Sequence, residues 1–399
     1  LVGLENEGFA IRGRFTHNDP AGPEEWCSRR LLSRMHGYSQ KGKRARVNTA
    51  TAQDFMRFLL EWHHVAPGSQ LDGADGLTNV VAQLQGWHAA AAVWEPEILS
   101  SRLRNHSPDL LDRRSLAGEI TWGRMAVGCR ASESTTRQTA TKTTPITLAL
   151  RADVDWLVSA ARGASPEADP PENAEAEAGC AAELLDELRN RGARFHHELR
   201  QATGRLATDV EQGLWELVWR GEIHADSFHA VRSLFDARDR GATQQRVGSG
   251  RGLRRGSAAR GGGEGRWTLF AENPVTADAD ELAEAVAEQL LARWGVVFHD
   301  LVAREQLALP WREIQWALRR LEARGLIRGG RFVSGFGGEQ YALPEASDHL
   351  ARVARTERGG VEVRVNACDP LNLTGVVTPG ERVPSRRSLT VTYRDGLPV

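Results

Sequence analysis

Lysine is almost missing from this chain of 399 residues, occurring only at positions 41, 43 and 142, so nearly all of its positive charge is arginine. Alanine and glycine are abundant beside it, and a GC-rich coding bias explains that set more simply than selection for bidentate phosphate contacts. Cysteine is scarce too. Cys27, Cys129, Cys180 and Cys368 lie scattered, with no C-x-x-C pair and no histidine at ligand spacing. Neither a disulfide framework nor a zinc site is supported, and a reducing, intracellular compartment is the default. No apolar run reaches the length of a transmembrane helix, so no membrane partner is expected. The G-x-x-x-x-G-K-S/T phosphate loop is absent, and the chain by itself is not expected to hydrolyse ATP. A formal net charge of -1 provides no global basic field. Any surface for a polyanion must therefore be local.

What the chain does have is a repeat. Phe195 to Ile223 reads FHHELRQATGRLATDVEQGLWELVWRGEI, and Phe298 to Ile327 reads FHDLVAREQLALPWREIQWALRRLEARGLI. Each has Phe-His, an apolar helix, a break at Thr203-Gly204 or Leu309-Pro310, and a second helix with Leu214 and Leu217 or Leu318 and Leu321. That is the spacing of helices two and three of a winged helix. A shorter echo, LLDRRSLAGEI, sets Leu111 before Gly118 as Leu214 stands before Gly221 and Leu318 before Gly325. Such a helical pair is foremost a nucleic-acid-binding design, because an α-helix fits the major groove.

Length argues for roughly two to four domains. The expected fold is α+β, with tandem winged-helix domains and a C-terminal barrel-like β module. Residues 1–130 read as a hairpin followed by a helical or winged-helix module, with Trp26 to Met35 helical and a further helix capped by Thr51. Residues 131–179 read as linkers around a short packed segment, 180–235 as a winged helix and 236–270 as an Arg/Gly-rich loop. A winged helix follows at 271–346, with Gly337-Gly338 turning its wing, and a β-rich module at 347–399. The strand-like opening VGLENEGFAIRGRF reads as sequence entered midway, so a longer parent protein is expected.

Candidate contacts follow from residue type. Arg246, Arg251, Arg254, Arg255, Arg260 and Arg266 stand among glycines with Glu264 as the one acidic residue in the run, either as phosphate contacts or as a solvated linker. Trp215, Trp219, Trp311 and Trp316 either stack on bases or fill a core. His196 and His299 recur at one place in two repeats, which points to packing or capping rather than chemistry. Gln83 and Gln85 close a helix before Gly86, so their amides either hold a water or base edge or merely end the helix. Asp369 and Asp395 sit in turn contexts, with a carboxylate that activates a water as the alternative.

The segments FMRFLLEWHHV, QLQGW with WEPEIL, RGARFHHEL, the stretch from Trp294 to Ala346, and ACDPLNLTGVVTPGERVP resemble the C-terminal region of the large helicase-related proteins of bacteria. The resemblance implies tandem winged helices that bind single-stranded or duplex DNA beside the helicase core of the same full-length protein. It also implies assembly into homo-oligomers and a cytoplasmic, nucleoid-associated place. The same region is similar to winged-helix DNA glycosylases whose signature is Gln-x-Gln followed by an apolar stretch and Trp, as at Gln83, Gln85 and Trp94. That likeness implies the alternative function, excision of uracil or alkylated bases by hydrolysis without metal or cofactor. Gln83 and Gln85 would then position the water, and Asp395 or Asp369 would stabilise the cationic sugar. Gly86-Trp87 departs from the Asp-Pro that commonly follows the motif.

Overall fold

The computed structural model describes residues 1–16, 23–45, 49–126, 140–163, 179–232, 265–270 and 278–399. Three units in it repeat one order of elements. The first runs through helix Gly73–Leu84, strand Ala89–Ala90, the helical turns Trp94–Arg102, helix Pro108–Leu116, and strands Ile120–Gly123 and Pro145–Leu150. The second has helix Cys180–Arg191, strand Arg194–Phe195, helices His196–Thr203 and Ala207–Arg220, and strands Ile223–Ala225 and Arg266–Leu269. The third has helix Ala279–Trp294, strand Val296–Val297, helices His299–Val302 and Trp311–Ala323, and strands Arg328–Gly330 and Gln340–Ala342.

The repeat seen in the sequence is thus a repeat of backbone geometry. Gly118, Gly221 and Gly325 all take positive φ, at 78°, 71° and 79°, where each chain leaves its recognition helix and turns into a strand. A Cβ is strained there, which is why glycine marks the position three times. Leu111, Leu214 and Leu318 are buried ahead of it, and Ile120, Ile223 and Ile327 behind it.

The first two units share one six-stranded antiparallel sheet, joined where Trp122 of one pairs with Ala225 of the other. Trp122, Trp215 and Trp267 cluster at this seam with ring centroids 5.6 to 6.1 Å apart. At the same seam Thr121 Oγ1 and His224 Nδ1 lie 2.8 Å apart, and burial pushes the imidazole down to about 3, so the ring stays neutral.

A second core surrounds the third unit. It takes in helix Ala52–Trp62, whose first turn is capped by Thr51 Oγ1 accepting from the Asp54 amide at 3.1 Å. Phe55 and Phe58 are fully buried there with Trp294, Phe298 and Leu350, so the chain itself covers the aromatic face that would otherwise seek a second subunit. Helix Ala52–Trp62 therefore packs mainly with the third unit and helix Pro344–Arg355, far along the sequence.

Two readings of the sequence need correction. Trp26 to Ser28 belongs to a strand, Glu25–Ser28, paired with Ala10–Gly13, and the helix begins only at Arg29. Alternate residues of a short strand resemble one helical turn in so brief a window. The C-terminal module is a three-stranded antiparallel sheet of Glu362–Asn366, Thr390–Arg394 and Leu397–Pro398. No closed barrel is formed among the described residues. Its inner side chains Val363, Val365, Val391 and Tyr393 instead join the core of the third unit, which gives the sheet a face to bury without closing on itself. No helix of the described residues is long and apolar enough to cross a membrane.

Candidate nucleic-acid interface and base pocket

The second helix of each helical pair is the one a winged helix offers to a groove, and the three units differ in what they leave open. In Ala207–Arg220 every residue from Gly213 to Val218 is buried. Trp215 packs against Trp122 and Trp267, and Arg124 lies 4.1 Å over the Trp219 ring. Only its N-terminal half stays open, at Ala207, Thr208, Asp209 and Gln212, and that half offers no arginine or lysine to a phosphate. In Pro108–Leu116, Asp112 is tied to Arg232 at 2.7 Å and Arg114 to Asp75 at 2.6 Å, and the exposed residues are Pro108, Asp109, Arg113 and Leu116.

Trp311–Ala323 is different. Ile314, Ala317, Leu318 and Leu321 face the core, while Arg312, Trp316, Arg319 and Ala323 form an exposed stripe at helical spacing. The Arg312 guanidinium sits 4.6 Å from the Trp316 ring centroid, and no ion pair of Arg312 occurs among the described residues. Arg319 meets Glu339 of the wing at 2.8 Å. Arg319 is exposed and Glu339 half-buried, where it also accepts from the Tyr341 hydroxyl at 2.7 Å, so the carboxylate keeps a partner when Arg319 turns to a phosphate. The composition of the helix does not reveal this surface. Its signal lies in the 3.6-residue spacing of Arg312, Trp316 and Arg319.

Of the six arginines expected to meet phosphate, Arg246, Arg251, Arg254, Arg255 and Arg260 lie outside the described residues. Arg266 opens a sheet strand and pairs with Asp226 at 3.2 Å. His299 is exposed at the start of its helix, edge-on to Trp311 at 5.8 Å, and His196 starts the matching helix in the second unit.

The glutamine pair lies elsewhere, in a pocket of about 540 Å³ between the first and third units. Its lining includes His64, Gln83, Gln85, Asp153, Trp156, Glu288 and Gln289. Helix Gly73–Leu84 ends here with carbonyls that have no partner of their own. Helix Ala279–Trp294 supplies them: Gln289 Nε2 donates to the carbonyls of Ala82 and Gln83 at 3.0 Å, and Arg293 donates to that of Gln85. Arg293 is itself buried and paired with Glu305.

The two amides are not equivalent. Gln85 is fully engaged, accepting from the Leu150 amide at 3.1 Å and donating to Asp153 at 2.8 Å and Gln289 at 2.9 Å. Gln83 donates to the Trp62 carbonyl at 3.0 Å, but its Oε1 is buried without a partner. That oxygen is the open acceptor of the pair. Asp153 also accepts from the Trp156 indole at 3.0 Å, and burial lowers the His64 imidazole.

Neither C-terminal aspartate is brought to this pocket. Asp369 is buried in a bidentate pair with Arg102 at 2.7 and 2.9 Å and also accepts from the Leu371 amide. Asp395 takes φ of 48° in its turn and accepts from the amides of Gly360 and Val361. Its carbonyl accepts from Gln53 at one end of helix Ala52–Trp62, whereas Gln83 reaches Trp62 at the other. Nine residues of helix separate these contacts by roughly 13 Å. No group of metal-ligating side chains occurs among the described residues.

Residues 50–150 and 276–362 each match the family described as large helicase-related protein, winged-helix domain. A Mycolicibacterium smegmatis protein named Lhr helicase/probable uracil glycosylase is 29% identical over 358 residues, covering 86% of this chain and 22% of its own length. An Escherichia coli K12 protein named Lhr helicase/uracil glycosylase is 27% identical over 404 residues, covering 91% and 25%. The chain thus spans about a quarter of the length of these curated relatives. By its two matched winged-helix domains and the relatives that cover most of it, the chain is similar to part of the large helicase-related proteins, and residues 50–150 and 276–362 are winged-helix domains of that kind.

Proposed function

We propose that this chain is a DNA-binding module of a helicase-related repair protein, and that it meets DNA through its third winged helix. The observation that carries this reading is the contrast among the three recognition helices. The second exposes no basic residue on its open half, the first exposes one arginine, Arg113, and the third presents both Arg312 and Arg319 to solvent beside an exposed Trp316. Binding of this kind is driven by phosphate contacts and counterion release, with little sequence preference. An anisotropy titration of a labelled oligonucleotide across a salt series is expected to show affinity falling steeply as salt rises. Affinity that ignores salt would contradict it. The helicase core of a longer parent, or a second copy of the chain, would meet the exposed apolar side chains Leu4, Phe9, Leu31 and Tyr38 near the start.

A second reading, base excision, is favoured by one observation: Gln83 and Gln85 line a single pocket with the carboxylates Asp153 and Glu288. Hydrolysis of a glycosidic bond passes through a cationic sugar, which a carboxylate stabilises while an amide oxygen orients the water. On this reading Gln83 would orient the water, and Asp153, which accepts from Gln85 at 2.8 Å, would be the carboxylate beside the pair in place of Asp395 or Asp369. The names of the two relatives agree with such an activity. Oligonucleotides carrying uracil or an alkylated purine are expected to be cleaved at the base by the chain and spared by Gln83→Ala. Intact substrates with the unaltered chain would remove this reading and leave the binding module.

A further inference from the structure

Trp316 is a large aromatic side chain left 46% exposed at the centre of the open recognition helix, while its helix neighbours Ile314, Ala317 and Leu318 are fully buried. At the matching positions of the second unit stand Thr208 and Gln212, and Trp215, which matches Arg319, is buried in the seam, so neither the aromatic platform nor its arginines recur there. One side of the Trp316 ring carries the Arg312 guanidinium at 4.6 Å, which fixes the indole plane and places a positive charge against it. Arg319 stands one turn further along the same stripe.

Duplex readout in the major groove uses paired donors and acceptors on base edges, which arginine, asparagine and glutamine supply. An indole has one N–H and no acceptor, so it reads edges poorly. What it offers is a flat face, and a base presents its own face only when it is unstacked from its neighbours. We infer that Trp316, backed by Arg312, is a stacking platform for an unpaired base, so that the third winged helix engages single-stranded DNA. The inference rests on the DNA-binding reading and names the form of DNA. Arg312 and Arg319, on either side of the ring along the helix, would take the phosphates that flank the stacked base.

The test uses the full chain and two probes of one sequence, a single strand carrying 2-aminopurine and the matching duplex. Stacking on Trp316 is expected to quench 2-aminopurine in the single strand. Trp316→Ala should lose that quenching and weaken single-strand affinity about tenfold, with duplex affinity changed less than about twofold. Trp316→Phe should retain most of both signals, because a phenyl ring still stacks. Equal losses on single strand and duplex, or an unchanged quench in Trp316→Ala, would overturn the platform. A chain that binds duplex but not single strand overturns this inference alone. One that binds neither overturns the DNA-binding reading with it.

Discussion

Asp369→Asn is expected to destabilise the protein by about 3–5 kcal/mol, because it leaves the Arg102 guanidinium charged and unpaired in the interior. Arg102 is 0% exposed and Asp369 2%, and the two side chains make parallel hydrogen bonds of 2.7 and 2.9 Å. The pair fastens the second helical segment of the first unit to the C-terminal module, across 267 residues of sequence. Both side chains lie away from water, and the neighbouring His63, held neutral by burial and by the Arg102 charge, could add only a second positive charge. Replacing both partners by apolar residues, as in Arg102→Met with Asp369→Leu, should recover much of the loss. Urea midpoints of the three proteins measure this. If Asp369→Asn unfolds like the unaltered chain and loses only base excision, Asp369 is catalytic and the structural assignment fails.

That residue also shows where the sequence stops being informative. The turn at Asp369-Pro370 is legible, since Asp before Pro favours a turn. The partner is not, because nothing near Asp369 in the chain marks an arginine 267 residues away. The three-unit repeat is legible because glycine at 118, 221 and 325 answers a local need of the backbone. The company kept by helix Ala52–Trp62 is hidden, because an aromatic face records that burial is required without recording what provides it. The candidate site divides in the same way. The Gln83 and Gln85 motif stands out in the sequence, whereas Asp153 joins it through the strand that ends at Leu150, and Glu288 only through packing of the first unit on the third. Arg312, Trp316 and Arg319 have the spacing of one helical face, yet their openness depends on what covers each helix, and that is a tertiary fact.

Reversing both exposed arginines, in Arg312→Glu with Arg319→Glu, is expected to raise the Kd for DNA on the order of 10- to 100-fold at moderate salt. With two fewer phosphates neutralised, the slope of log affinity against log salt should also fall by about 2. The variant should fold normally, because both side chains are exposed and the Arg319 pair with Glu339 lies on the surface. The same reversal at Arg113, on the recognition helix of the first unit, serves as the control and should leave the slope unchanged.

The central claim is that the third winged helix is the face this chain turns towards DNA. Salt-dependent titration of a single labelled oligonucleotide with the unaltered chain and the Arg312→Glu, Arg319→Glu variant tests it most directly. The account predicts a flattened salt slope and weakened binding in the variant. An identical slope and Kd in both proteins would contradict it and place the DNA on another surface.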